Sequence, residues 1–193
     1  MDLILAICQG LGLALAIGIG GGLVALFAAA MVSFDAGIDL DGTGYEFVGE
    51  PWFLAVLLGV VVVGVYLRGR SAAAPLLIGV AGVVGAIMFA ASLAEEGEPT
   101  VPGLVAGAAL AVGAAMIAAS VLEGAQRRAR SASEDEGAAN TLVLLFAAAG
   151  LALAVIALFI PPLALAAAAA LGWLARGRRR RSGEKYEGLR ILR

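Results

Sequence analysis

The chain has 193 residues, of which 62% are hydrophobic, and its mean hydropathy is +0.99. Soluble domains contain roughly 45–50% apolar residues. Here these residues fall in long uncharged blocks, which excludes an ordinary water-soluble domain and predicts a multi-pass membrane protein. The net charge of −2 hides a segregation, because acidic and basic residues occupy different connections along the chain.

The first uncharged block runs from Leu3 to Ser33. Small residues recur at every fourth position, which favours close packing between membrane helices; they are Ala6, Gly10, Ala14, Gly18 and Gly22. About 31 residues of helix would be roughly 46 Å long, against an apolar layer of about 30 Å. We therefore predict one crossing that bends at the glycine cluster, which contains Gly18, Gly20, Gly21 and Gly22. Either the bend only allows close packing, or the helix is broken there and its free backbone groups line a site or a transport path.

Residues 34–50 predict an acidic loop with five carboxylates and no basic residue; they are Asp35, Asp39, Asp41, Glu46 and Glu50. Part of the loop resembles a fragment of a calcium loop. The first ligand position would fall on Gly37 and the closing glutamate position on Val48, so the match is poor. We interpret the segment as a solvated loop, and the sequence leaves cation binding open.

Five further apolar runs predict membrane helices at about 51–67, 72–94, 101–122, 141–160 and 162–176. Pro51 suits the first turn of its helix. The run 101–122 carries a second row of small residues, and a polar loop is expected at 123–140. Pro161-Pro162 forbids an unbroken helix, so we predict two crossings joined by a tight turn.

Charge selects the orientation of this six-helix, all-α bundle. With both termini in the cytoplasm, all 13 basic residues lie inside. The only charged residues in the outer loops 34–50 and 95–100 are then Asp and Glu. Basic residues favour the cytoplasmic side of a membrane. A five-crossing model would place the tail arginines outside, and splitting the first run into a hairpin would leave halves too short to span. The sequence thus predicts a six-helix domain at 1–176, a basic tail at 177–193 and a cell (inner or plasma) membrane location.

The residue types that the chain lacks exclude most kinds of catalytic and metal site. The chain has no histidine and one cysteine, Cys8, so imidazole ligation, a cysteine metal cage and a Ser-His-Asp triad are all excluded. No dinucleotide or phosphate-loop motif occurs. No Asp, Glu, Lys or Arg falls within the predicted spans, which argues against proton relays and ion coupling. We expect no enzyme activity, no cofactor and no metal.

Two sets of polar residues remain as candidates. Gln9 lies inside the first span, where an unpaired amide is costly; it forms an interhelical hydrogen bond, or it lines a passage together with the glycine cluster. The tail carries an arginine cluster that anchors the topology or contacts anionic lipid headgroups; it consists of Arg176, Arg178, Arg179, Arg180 and Arg181. Nothing beyond this cluster favours nucleic acid as a partner.

In three features the chain resembles a bacterial family of small integral membrane proteins, the domain of unknown function 4126. They are the opening LILAICQGLGLALAIG at 3–18, the hydrophobic layout that follows, and the ending KYEGLRILR at 185–193, which is similar to the tail of actinobacterial members. The family has a Gly-x-Arg step after its opening helix, whereas Gly18–Gly22 contains no arginine. The resemblance implies an uncharacterised membrane protein and supplies no substrate.

Two functions fit these observations. The first is a passive channel or transport element for a small solute or lipid, with the broken helix near the bundle centre. The alternative is a structural or assembly protein that binds the bilayer and a second copy or another membrane protein, through glycine and alanine faces or the 185–193 tail. A hydrated cavity reaching Gln9 and Gly18–Gly22 would favour transport, and a dry, packed centre would favour the scaffold.

Overall fold

The computed structural model describes residues 3–67, 73–132, 136–166 and 169–170, and every regular element among them is helical. The α-helices are α1 (Leu3–Gly20), α2 (Gly22–Ser33), α3 (Pro51–Tyr66), α4 (Ala73–Ala94), α5 (Thr100–Ala132) and α6 (Glu136–Phe159). A single 3-10 turn, Glu46–Val48, precedes α3. Residues 161–166 are also helical. The predicted all-α class is confirmed.

Four helical segments are long and apolar enough to cross a bilayer: Leu3–Gly20, Ala74–Ala94, Thr100–Gln126 and Thr141–Phe159. The helices α2 and α3 are apolar but shorter. Large apolar side chains cover the outside of the bundle, including Val105 and Leu144, each 68% exposed. An apolar surface of this extent is unfavourable in water. These features support a membrane-embedded protein.

The first apolar run is two helices rather than one. α1 ends at Gly20 and α2 begins at Gly22, so the interruption falls inside the predicted glycine cluster. Gly21 has φ 68° and ψ −151°, a conformation that is essentially limited to glycine. Beyond Gly21 the chain reverses its direction. The evidence is a hydrogen bond of 2.6 Å from Gln9 Nε2 on α1 to the carbonyl of Gly37, which follows α2.

A bent single crossing cannot make this contact. Gln9 and Ser33 lie equally far along the chain from Gly21, and each arm is about 18 Å long as a helix. A straight path would separate Gln9 from Ser33 by roughly 36 Å, far beyond the reach of the four residues that lead to Gly37. The prediction of one crossing over 3–33 is therefore wrong, and α1 and α2 form a helical hairpin. Hydropathy could not distinguish a bent crossing from a hairpin, because glycine permits a bend and a reversal equally.

α1 lies at the centre of the bundle, between α4, α5 and α6. Its glycines pack on each of these neighbours: Gly10 on Phe89 of α4, Gly12 on Ala157 of α6, and Gly18 on Ala111 of α5. Gly20, at the end of α1, meets Gly150 in the middle of α6. This order makes α1 antiparallel to α6. The α2 helix packs beside α3, with Gly22 against Val61.

One end of the bundle gathers the acidic connections, and we call it the acidic end. Loop 34–50 lies there, with the Asp39 amide 3.3 Å from Glu95 Oε1, just after α4. Gly37 of the loop also approaches Leu158, near the end of α6. α1 begins at this end, because Gln9 contacts Gly37. The prediction that placed the N-terminus opposite loop 34–50 is therefore corrected by the hairpin.

At the opposite end, which we call the basic end, lie the end of α3, the start of α4 and the last turns of α5. Gly64, near the end of α3, lies beside Leu77, near the start of α4. The last turns of α5 also lie at this end, and their sequence contains Arg127, Arg128 and Arg130. The glycine tip between α1 and α2 points in the same direction.

The polar stretch 123–140 is mostly helical, which corrects the predicted loop. α5 continues to Ala132 and α6 already begins at Glu136, so only the few residues between them remain outside the two helices as described. Alanine, glutamate, glutamine and arginine all have high helix propensity. Glu123 and Arg127 also have the i, i+4 spacing that stabilises an exposed helix. Local propensity extends both helices beyond their apolar segments.

The chain turns sharply at Ile160, before Pro161-Pro162. A Cβ built on Gly12 would lie 2.6 Å from the Cβ atoms of both Ala157 and Ala164. Seven residues of continuous helix would place those two alanines about 10.5 Å apart. The sharp turn predicted at the double proline is therefore present. Only the start of the predicted crossing 162–176 lies within the described residues.

Candidate functional site

Gln9 is the one fully buried amide side chain among the described residues, with 0% exposure. Its Nε2 donates to the Gly37 carbonyl, so it ties α1 to loop 34–50 and not to a neighbouring helix. Its Oε1 is buried and accepts no hydrogen bond within the described part of the chain. A buried acceptor without a partner costs roughly 1–3 kcal/mol. The residue fastens the loop at some energetic cost.

The glycine cluster lies further along α1 and does not meet Gln9. Gly18 is nine residues beyond Gln9, about 13.5 Å along the helix. A Cβ on Gly18 would lie 2.5 Å from the Ala111 carbonyl oxygen, and one on Gly20 would lie 3.3 Å from the Gly150 Cα. Gly21 differs, because a Cβ there would meet nothing within 4 Å. The cluster provides close backbone contacts and a turn, and the structure does not join it to Gln9 in one pocket.

The interruption at Gly21 leaves little backbone unpaired. Gly21 N–H donates to the Ile17 carbonyl at 2.8 Å, and the Gly21 carbonyl accepts from Val24 and Ala25 at 3.1 and 3.2 Å. Both backbone groups of the turn residue are therefore used. The amides of Val24 and Ala25 in the first turn of α2 are thus paired as well, and the remaining end groups of α1 and α2 lack intrahelical partners, as at any helix end.

The middle of α1 is sealed by its neighbours. Leu13, Ala14, Ala16 and Ile17 all have 0% exposure. Leu13, Ala16 and Ile17 belong to one apolar cluster that also contains Ala28 of α2 and Ala157 of α6. These contacts fill the side of α1 that faces its neighbours between Gln9 and Gly18, and only Leu11 and Leu15 in that stretch are half-buried.

Comparison with known proteins adds no assignment. No protein-family model, curated protein sequence or solved structure matches this chain. The resemblance to the domain of unknown function 4126 therefore stays a prediction. Function has to be argued from the geometry of the chain itself.

Loop 34–50 is packed onto the bundle, which sequence reasoning missed. Ile38, Leu40 and Val48 are buried, with exposures of 1%, 4% and 0%. Phe47 packs against the two aromatic residues that begin α3, stacked on Trp52 with ring centroids 6.1 Å apart and edge-on to Phe53 at 5.5 Å. The apolar residues between the carboxylates were the available signal. They hold the loop as a fixed cover over the acidic end.

Three carboxylates of this loop converge on its surface. Asp35, Asp39 and Asp41 each place an oxygen within 4.8 Å of the others, and all three are exposed. Asp39 Oδ1 also accepts the Asp41 amide at 3.0 Å, a local turn contact. Exposed carboxylates are well hydrated and need no ion, so the cluster alone assigns no metal.

Glu95 is the carboxylate most affected by its surroundings, and the sequence did not single it out. It directly follows α4, and its Oε1 is positioned to accept the Asp39 amide. Its Oε2 is buried and accepts no hydrogen bond among the described residues. Burial raises the pKa of Glu95, and the nearby Glu96 and Asp39 carboxylates raise it further. The loop and the end of α4 are thus joined through a carboxyl that resists ionisation.

The outer surface between α4 and α5 forms a shallow apolar groove. Four small residues line it, Gly79, Gly82, Ala86 and Ala108, together with the larger Val83, Ile87, Leu104 and Val112. A Cβ on Gly79 would meet nothing within 4 Å. The groove lies on the outside of the bundle, away from Gln9. The predicted lipid-contact arginines, Arg176 and Arg178 to Arg181, lie outside the described residues.

Proposed function

We propose that this protein is a structural or assembly component of a membrane, which packs against another transmembrane helix and carries no solute. The sealed centre supports this proposal. α1 packs against α4, α5 and α6, and its residues Leu13, Ala14, Ala16 and Ile17 are fully buried, whereas Leu15 is half-buried. A scaffold needs a stable interior and an available outer face, whereas a conduit needs a passage.

The outer groove between α4 and α5 is the proposed contact surface. The predicted small-residue rows are largely occupied within the chain, since Gly10 meets Phe89, Gly18 meets Ala111 and Gly107 meets Gly85. Gly79 remains open on the outer face of α4. Small residues allow helix backbones to approach closely in lipid, where packing drives association. The occupant would be a transmembrane helix of a second copy or of another membrane protein.

A photocrosslinker at Val83, which is 60% exposed in this groove, tests the contact in native membranes. We expect an adduct with a protein, whose mass identifies a second copy or a different partner. Gly79→Leu should abolish the adduct by filling the groove. Gly59→Leu is the matched control, because Gly59 on α3 is equally open. Crosslinks to lipid alone, or an adduct insensitive to Gly79→Leu, would contradict the proposal.

Passive transport is the second candidate, and two observations favour it. The helix interruption at Gly21 lies within the apolar part of the bundle, and Gln9 Oε1 is a buried acceptor without a partner. Broken helices of this kind form binding sites in several transporters. Flux of ions, small neutral solutes and lipids through liposomes containing the purified protein tests the idea. No flux above that of empty liposomes would exclude it.

We further propose that the basic end faces the cytoplasm of the cell membrane. In the sequence Arg68 and Arg70 follow α3, and Arg127, Arg128 and Arg130 belong to the last turns of α5; both helices end at the basic end. The positive-inside preference then places the acidic end outside. Because α1 begins at the acidic end, the N-terminus would be outside as well. A crossing over 162–176 would return Arg176 to Arg181 to the cytoplasmic face, where they can contact anionic headgroups.

Protease access in sealed vesicles tests this topology. A cleavable tag before Met1 should be cut from the outside only, and a tag after Arg193 from the inside only. Cleavage of both tags from the same side would contradict it and would restore an even number of crossings.

A further inference from the structure

The hairpin formed by α1 and α2 is short compared with the helices around it. α1 has 18 residues and α2 has 12, so they are about 27 Å and 18 Å long. The apolar part of α4 has 21 residues and is about 31 Å long. α2, at least, is too short to cross an apolar layer of about 30 Å.

The contacts of α1 show how far the hairpin tip reaches. Gly20 packs on Gly150, which is the central residue of the apolar segment Thr141–Phe159. Gly18 packs on Ala111 and Ala115, near the middle of Thr100–Gln126. The tip therefore stands beside the interior of both neighbouring spans and away from their ends.

The contact with α4 gives the same result. The Cα of Ala14 lies 3.6 Å from a Cβ built on Gly85, close to the middle of Ala74–Ala94. Gly20 is six residues further on, about 9 Å, whereas half of that apolar segment is about 15 Å long. The tip thus stops short of the basic end of α4 as well.

The packed core ends at the same level. Among residues with described side chains, the buried positions of α4 begin at Ala81, those of α5 end at Ala115, and those of α6 begin at Gly150. No buried residue of these three helices lies beyond the tip in the described part of the chain. The hairpin therefore determines how far the closely packed interior extends.

We propose that α1 and α2 form a re-entrant hairpin, which enters the membrane from the acidic end, reverses at Gly21 inside the hydrocarbon layer and returns to the same side. Irregular backbone at that depth is tolerated only where its polar groups are satisfied. At the turn residue itself this condition is met, because Gly21 N–H donates to Ile17 and the Gly21 carbonyl accepts from Val24 and Ala25; the remaining end groups of α1 and α2 lie beside the packed helices of the bundle. The inference concerns membrane depth and holds whether the protein is a scaffold or a conduit.

Spin labels in a lipid bilayer test the depth. Cys8 is buried and is the only cysteine, so Cys8→Ala gives a label-free background. The test position is Leu23→Cys, because Leu23 adjoins the tip and is 43% exposed. Val62→Cys on α3 serves as a depth reference beside the tip, since Gly22 packs on Val61. Gly44→Cys marks the acidic end and Gln126→Cys the basic end.

We expect the label at Leu23 to match the label at Val62, with high accessibility to oxygen and accessibility to a water-soluble nickel chelate several-fold lower than at Gly44 and Gln126. Nickel accessibility at Leu23 equal to that at Gln126 would place the tip at the aqueous surface and overturn the proposal. If the label at Val62 also behaved like that at Gln126, α3 would be outside the hydrocarbon layer, which would overturn it too. Proper folding of each variant is checked by gel filtration.

Discussion

The glycines of α1 and those on the outer faces of α3, α4 and α5 occur in similar apolar sequence, yet their surroundings are opposite. A Cβ on Gly12 would clash with Ala157 and Ala164 at 2.6 Å, whereas a Cβ on Gly59, Gly79 or Gly113 would meet nothing within 4 Å. The first group permits contact between helices, and the second leaves lipid-facing surface. A small residue therefore indicates where helices can approach closely, and only the fold decides where they do.

The difference arises from position in the bundle. α1 has a helix on several sides, so that its small residues all meet a neighbour. α5 packs on α4, α1 and α6 along one side and keeps exposed residues such as Val105 and Met116 along the other. Three predictions test how strongly the central hairpin depends on its contacts, and a fourth tests the contact between loop 34–50 and the end of α4.

The largest effect is expected for Gly18→Leu. Its side chain would enter the space occupied by the Ala111 carbonyl and the Ala114 methyl group, 2.5 and 2.6 Å from the Cβ position. Overpacking costs about 1–3 kcal/mol or more, so the melting temperature in detergent should fall sharply. Gly113→Leu, on the open face of α5, should melt at or above the wild-type temperature. Equal losses for both variants would contradict the contrast between the two groups of glycines.

The next effect is expected for Gly21→Ala. The conformation of Gly21 is restricted to glycine, and imposing it on alanine costs about 1–3 kcal/mol. The substitution should lower stability although the space around Gly21 is empty. Gly44→Ala has equal space and no such backbone requirement, so its melting temperature should stay close to that of the wild type. An unchanged melting temperature for Gly21→Ala would show that the reversal has a different geometry.

A smaller effect is expected for Gln9→Met. The change removes the hydrogen bond to Gly37 and also removes the unpaired Oε1, so the net loss should be about 1 kcal/mol. Amide hydrogen exchange in loop 34–50 should become faster, because the loop loses its attachment to α1. Ser92→Ala is the control, since Ser92 is equally buried but bonds only within α4, to the Phe89 carbonyl. Unchanged exchange in the loop would exclude the attachment.

The smallest effect concerns Glu95 and is visible only as a pH dependence. Because burial raises its pKa, the folded protein favours the neutral carboxyl. This contribution to stability is fully present below the unfolded-state pKa and is lost as pH rises through the higher folded-state pKa. Glu95→Gln should therefore be slightly more stable than the wild type at neutral pH and show a flatter pH profile. Glu98→Gln, in the same loop, should retain the wild-type profile.

The sequence predicted the helical class, the location of the glycine interruption and the turn at Pro161-Pro162, since each depends on local composition. It did not predict the reversal at Gly21, because the contact that reveals it joins residues 28 positions apart. It also missed the packing of Ile38 and Val48, because the surrounding carboxylates suggested a loop in water. In the 123–140 stretch, polarity was taken for loop structure although the helix propensity is high.

The hydrogen bond between Gln9 and Gly37 has a consequence for biosynthesis. Chains are inserted as they emerge from the ribosome, and Gln9 emerges well before the carbonyl that satisfies it. A lone α1 would expose an unpaired amide to lipid, a state disfavoured by several kilocalories per mole. We therefore expect the two arms to settle in the bilayer together, once residue 37 has emerged, and chains truncated before that point to insert less efficiently.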